Sequence, residues 1–224
     1  MVNRLYNHST NPTRLRRLAP ALVLLTCIGP SGATPLGARR RPLTSLEHDV
    51  FTEINSARTN PNAYALLLEA WRPLYQGRRI IVLRDGVEEV EVTEEGLPAL
   101  DEAVRTLRST RARSPLHLSQ ALCKSADDLL RSQGPAGTVG HTAPDGSDPL
   151  ARVQRYYLEP KLVGEILSYG RKTGKDVVRH FLVDDGEKDR GHRKNLLNPQ
   201  FGSVGVACGP HAVYGIMCVI DLGG

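Results

Sequence analysis

Aromatic side chains are scarce in this chain: three Phe, one Trp and seven Tyr among 224 residues. A packed core must therefore rest on Leu, Val, Ile and Ala. The common catalytic signatures are also missing. The chain has no His-Glu-x-x-His helix, no Gly-x-Ser-x-Gly elbow, no phosphate-binding loop and no paired Cys-x-x-Cys, so organised hydrolysis lacks its usual parts. No internal repeat or low-complexity tract interrupts it. With 40% hydrophobic and 24% charged residues, the composition supports a packed core and argues against wholesale disorder.

What basic excess there is sits in one place. The net charge is +5 and the isoelectric point is near 9.2, which would suit a nucleic-acid partner. Residues 1–33, however, hold Arg4, Arg14, Arg16 and Arg17 and no acid, and Arg39, Arg40 and Arg41 form the only basic run after them. No aromatics are interleaved with that run as a single-strand binding surface requires. Nucleic-acid binding is not expected.

The arginines of the amino end precede an apolar stretch over residues 18–28 and the small residues Ser31, Gly32 and Ala33. A positive start, a short apolar run and a small-residue exit describe a secretory signal peptide over residues 1–33. The apolar stretch contains Pro20 and falls short of the roughly 20 residues a membrane-spanning helix needs, so no span is expected in the mature chain. An uncleaved N-terminal membrane anchor is the alternative. Residues 34–43 read as a Pro/Arg-rich linker and residues 44–224 as one domain. Removal of the leader takes Cys27 with it and leaves Cys123, Cys208 and Cys218, so one internal bridge is the most that can form. Cys208 and Cys218 fall on neighbouring strands, and Cys123 reads as a buried helical thiol; the sequence does not require a bridge.

Along the domain, Thr44 and Glu47 have capping-box spacing ahead of Leu46, Val50, Ile54 and Ala57, which share a helical face. Asn60-Pro61 ends that helix and opens a short second one. Residues 79–92 read as a β-hairpin turning at Asp85-Gly86. Helical stripes follow through Leu97, Leu100, Val104 and Leu107, and through Leu118, Leu122, Ala126 and Leu129. A glycine-rich loop over residues 134–140 leads to His141. Residues 162–169 form a buried strand, Val177, Val178, Phe181 and Leu182 a helix, and residues 204–208 with 216–222 a closing antiparallel pair. Helices around a small sheet without βαβ regularity give an α+β fold, a three-layer α-β-α sandwich.

Three segments join glycine hinges to ionisable side chains: Gly140-His141-Thr142, Val163-Gly164-Glu165-Ile166, and Asp184-Asp185-Gly186 running on to Gly191-His192-Arg193-Lys194-Asn195. In their order and spacing, with Asn55-x-x-Arg58 on the first helix, the chain resembles the CAP superfamily (cysteine-rich secretory proteins, insect venom allergens and plant pathogenesis-related proteins) from about residue 46 to residue 222. The resemblance implies a sandwich with a small, mostly antiparallel sheet, to which the hairpin is an addition, and a broad cleft holding two histidines and two acids. Carried over by position, His141 and His192 are the histidines, with zinc implied between them, and Glu165 is the first acid. Where the family often has a glutamate for the second, this chain offers Asp184 and Asp185, with Glu187 just beyond.

Two imidazoles with carboxylates suit a divalent metal such as zinc, whether the acids ligate or orient the rings. Each residue also has a plainer reading. His141 follows a flexible loop, His192 lies in a charge run, and Asp184-Asp185-Gly186 suits a helix end. Glu165 sits within an apolar strand, where a lone carboxylate is costly to bury, so it must face a cleft or hold a partner. Asn55 is expected to pack or cap within its helix. The expected protein is secreted and acts by binding a small lipid, a sterol or an extracellular partner surface. The rival is a weak zinc-dependent hydrolase or protease with Glu165 as general base; the binding reading leads because no positioned nucleophile or oxyanion hole is evident.

Overall fold

The computed structural model describes residues 41–224, except Asp85 and Leu158, and the backbone of residues 4–7. Apart from those four residues, the segment read as a leader lies outside the described residues, as does most of the linker.

The elements run β1 (Arg4–Asn7), α1 (Ser45–Thr59), α2 (Pro61–Glu69), a single 3₁₀ turn at Arg72–Leu74, β2 (Tyr75–Gln76), β3 (Arg79–Arg84), β4 (Val87–Val92), α3 (Leu97–Ser109), β5 (His117–Leu118), α4 (Gln120–Ala136), α5 (Pro149–Gln154), β6 (Leu162–Tyr169), α6 (Gly174–Val183), α7 (Gly191–Leu197), β7 (Ser203–His211) and β8 (Gly215–Gly223). The main sheet has the order β1-β6-β8-β7-β5, antiparallel apart from the short parallel contact of β5 with β7. The hairpin β3–β4 joins β2 in a separate three-stranded sheet.

Alternation along the strands sorts the core into layers. Ile166, Ile220, Leu222, Val204 and Val206 pack with Val50, Ile54, Phe181 and Leu196 of α1, α6 and α7. On the other face Leu167, Ala207, Met217 and Val219 meet Ala126 and Leu129 of α4, and Val163 meets Leu122 and Val153 of α4 and α5. The fold is the α+β, three-layer arrangement that the pattern implies.

The capping box forms at the start of α1. Thr44 Oγ1 accepts from Glu47 N (3.3 Å) and Glu47 Oε2 accepts from Thr44 N (2.7 Å). Glu47 does more than the sequence suggests, because its buried Oε1 also accepts from Arg41 (2.7 Å) and from Cys208 N on β7 (3.0 Å). Burial pushes this carboxyl up, but those donors outweigh it and hold it below the usual range. Asn55 departs from its expected role inside α1. Its side chain reaches out to Leu116, donating to the carbonyl (3.1 Å) and accepting from the amide (2.7 Å), as a neighbouring strand would. Arg58, also buried, donates to the carbonyls of Ser114, Leu196, Asn198 and Phe201.

The loop before His141 is shorter than the glycines suggest. Helix α4 runs on to Ala136 and ends at Gly137, which has left-handed φ 67°. Gly134 lies within its last turn because β7 and the following turn pack there, with Ala212 N donating to Gly134 O (2.8 Å). Cys208 and Cys218, opposite one another on β7 and β8, form a disulfide, and Cys123 is a buried thiol. The bridge that the sequence left optional is therefore made.

At Gly205 the backbone of α4 lies directly against β7. A Cβ there would fall 2.1 Å from the carbonyl carbon of Leu122. Gly205→Ala must push helix and strand apart, and is expected to cost about 3 kcal/mol by overpacking; urea unfolding within about 0.5 kcal/mol of wild type would refute this contact.

Candidate functional site

Position 165 faces the α4–α5 layer, between Val163 and Leu167, and the Glu165 side chain is 0% exposed. Two partners meet it. His141 Nδ1 lies 2.7 Å from Oε1, and Arg152 Nη2 donates to Oε2 at 2.5 Å. His141 is delivered by the loop after α4, which Gln133 holds by donating to Gly140 O (2.7 Å) and Thr142 O (3.3 Å), while Tyr169 Oη accepts from Gly140 N (3.1 Å). Arg152, itself buried, comes from α5, whose N-cap is Asp148. Its Nη1 donates to the carbonyls of His141 (3.0 Å) and Ser147 (2.7 Å). One guanidinium thus neutralises Glu165 and fixes the loop that carries the imidazole.

Burial raises the Glu165 carboxyl above its usual range, and the charge and hydrogen bonds of Arg152 oppose that rise. Sequence reasoning missed Arg152 and two further polar groups in this layer. Asp221 on β8 stands opposite Glu165 in the strand register, and Ser125 comes from α4; both are buried. Asp221 did carry a signal, since it interrupts the apolar run Val219-Ile220-Asp221-Leu222 as Glu165 interrupts its own.

The second imidazole belongs to the α6–α7 layer. Asp184 caps the end of α6 in the left-handed region (φ 55°). Its Oδ1 lies 2.6 Å from His192 Nδ1 and its Oδ2 accepts from Arg193 N at 3.1 Å. The charge run around His192 is a clamp. Arg193 is buried and donates to the carbonyls of Leu182 (2.5 Å) and Val183 (2.8 Å) and to Glu102 (2.8 Å). Arg190 joins Glu95 and Glu102 to the carbonyls of Asp184 and Glu187. Asp185 turns away from His192. Its carboxylate accepts from the amides of Glu94 (2.5 Å), Glu95 (2.9 Å) and Gly96 (3.1 Å) at the start of α3.

The structure therefore makes two imidazole–carboxylate pairs, Glu165–His141 and Asp184–His192, whose immediate partners lie in different layers. In each, the carboxylate fixes the ring through Nδ1. His192 Nε2 is buried without a hydrogen-bond partner among the described residues and packs with Phe181, ring centroids 5.4 Å apart. Among the described residues no group of three or more His, Cys, Asp and Glu side chains is placed to hold a metal ion. Carboxylates bonded to Nδ1 orient the rings and leave Nε2 as the ligating atom, but with the two pairs built from different layers no three such groups come together among the described residues, and this is where the donor set departs from the zinc centre that the resemblance implies.

A profile of the cysteine-rich secretory protein family (CAP) matches residues 102–220. This chain belongs to that family. Its relatives include the uncharacterized protein YkwD of Bacillus subtilis, 29% identical over 99 residues, which are 44% of this chain and 37% of the relative; the chain thus matches little more than a third of that protein's length. Among solved structures, an outer surface protein of Borrelia burgdorferi is similar over 50% of this chain and 78% of its own (23% identity, TM-score 0.43). An extracellular protein containing an SCP domain from Bacillus anthracis is similar over 55% and 37% (23% identity, TM-score 0.41).

Arg152→Met strands Glu165 beside Asp221 in a dry interior. It is expected to cost about 3–5 kcal/mol. Glu165 then holds its proton to a higher pH in the folded state than in the unfolded one, so the deficit should grow as the pH is raised from about 5 to 8. A pH-independent deficit in urea titrations would contradict the pairing.

Proposed function

We propose that this domain works outside the cell by binding an apolar ligand, a small lipid or sterol or the apolar face of a partner protein, and not by catalysis. The engagement of Glu165 carries the reading. Each of its oxygens has an interior partner, His141 or Arg152, and its side chain is out of reach of solvent. A general base needs a lone pair within hydrogen-bond reach of the proton it removes, and a side chain closed off from solvent does not present one to a substrate. The zinc-dependent hydrolase reading needs this same residue as its base.

Export is supported by the leader-like amino end and by the Cys208–Cys218 bridge, which suits an oxidising compartment. Among the described residues no helix is long and apolar enough to cross a membrane. A surface for an apolar partner lies beside the His141 loop. Val139, Val213 and Tyr214 are 55%, 68% and 50% exposed. Their two loops are tied by His211 Nε2 donating to Thr138 O (3.0 Å), with Tyr169, His211 and Tyr214 forming a ring cluster beneath.

Fluorescent sterol and fatty-acid titrations of the exported protein should saturate, and Val213→Ser with Tyr214→Ser should weaken binding about tenfold or more, given roughly 1.5 kcal/mol per buried apolar side chain. Pull-down with a defined partner, unaffected by lipid, would move the assignment to a protein surface. Peptide or ester hydrolysis that is lost on chelation and in Glu165→Gln would replace the binding reading with the enzymatic one.

A further inference from the structure

Asp221 is a charge problem that neither imidazole pair solves. It is 0% exposed, and neither carboxyl oxygen has a hydrogen-bond partner among the described residues. It is directly opposite Glu165 across β6–β8 and opposite Gly205, which has no side chain to offer, across β7–β8. From α4 it meets the hydroxyl of Ser125, which is also buried without a partner, and from the same helix lies the neutral thiol of Cys123. From α5 the nearby cation is Arg152, already bonded to Glu165. One guanidinium therefore faces two buried carboxyl groups. An ionised carboxylate whose one uncommitted neighbouring donor is a neutral hydroxyl is costly in such a place, whereas a neutral acid itself supplies a donor toward Glu165.

We infer that Asp221 is a neutral carboxylic acid in the folded protein at neutral pH, its O–H directed toward Glu165, so that this layer holds one negative charge instead of two. Burial first, and then the adjacent Glu165 charge, push the Asp221 carboxyl well above its ordinary range, in keeping with the geometry. The stability consequence has a definite sign. An acid whose folded-state pKa lies above its unfolded value binds its proton more tightly in the native state. Its contribution is complete below about pH 4 and is lost progressively as the pH rises to the folded-state value. The fold thus carries a built-in penalty for alkalinity, placed directly beneath the His141–Glu165 pair.

The test compares wild type with Asp221→Asn, which has the same shape and cannot ionise. Unfolding constants are measured in urea from about pH 4 to pH 9, with and without chelator. The ratio of the two folding constants is expected to move tenfold per pH unit in favour of the Asn variant, the slope for one proton, until Asp221 ionises in the wild type. In parallel, wild-type protein labelled with carbon-13 at the aspartate carboxyl should show one aspartate with the chemical shift of a neutral acid at pH 7, so the inference does not depend on the variant folding. A full set of ionised aspartates at pH 7, or a ratio independent of pH, overturns it. Ionised aspartates together with a loss of stability on chelation would also overturn it, and would place a cation between the two carboxylates.

Discussion

A buried carboxylate on β6 imposes more on this fold than any apolar contact does. Moving an ion of that size out of water costs several kcal/mol even after relaxation, and only close, well-aligned partners offset it. For Glu165 those partners are Arg152 and His141, and neither is local in sequence. Arg152 must come from α5, and its second amino group must be spent on the carbonyls of His141 and Ser147. The short helix α5, the segment around Ser147 and the loop carrying His141 are thus tied to the same guanidinium. If any of them moved, a charge would be left unpaired in a dry layer.

The α6–α7 layer meets a related requirement from a worse starting point. Asp184 lies at the carboxyl end of α6, where the exposed carbonyls already carry partial negative charge and disfavour an anion. The chain counters with cations at the same helix end. Arg193 takes the carbonyls of Leu182 and Val183, Arg190 takes that of Asp184, and both are anchored to Glu102 of α3. His192 is then fixed by an aspartate that would otherwise be destabilising where it sits. The shorter side chain at this position suffices because the left-handed cap swings Asp184 toward the start of α7.

Much of this architecture could be read from the residues because it is written in local patterns. The capping box at Thr44 and Glu47, the hairpin at residues 79–92 and the alternation of the three long strands are each decided by neighbours within a few positions. Glu165 was legible for the opposite reason, as an acid in an apolar strand that demanded a partner. Its partner was not legible, since nothing in Pro-Leu-Ala-Arg marks Arg152 as an interior cation. The same blindness to tertiary pairing turned Arg190 and Arg193 into a charge run and left Asp184 and Asp185 indistinguishable. What separates those two aspartates is one left-handed residue, which sends the first inward to His192 and the second outward to the amides of residues 94–96. The overextended glycine loop has a related cause, because Gly134, in the last turn of α4, is packed against the β7–β8 turn, a contact that local pattern does not reveal.

Two imidazoles held from opposite sides of the sheet leave the frame with committed polar groups and ordered loops, which is what the proposed binding role requires. Binding residues gain most when they stand on loops that a rigid frame has already ordered, because less conformational entropy is lost on contact. Here the loop at residues 137–140 is pinned by Gln133, Tyr169 and His211, and the turn bearing Val213 and Tyr214 by the disulfide-linked strands β7 and β8 beneath it. The Glu165–His141 pair holds the loop from which Val139 projects, while Asp184–His192 fastens the opposite layer.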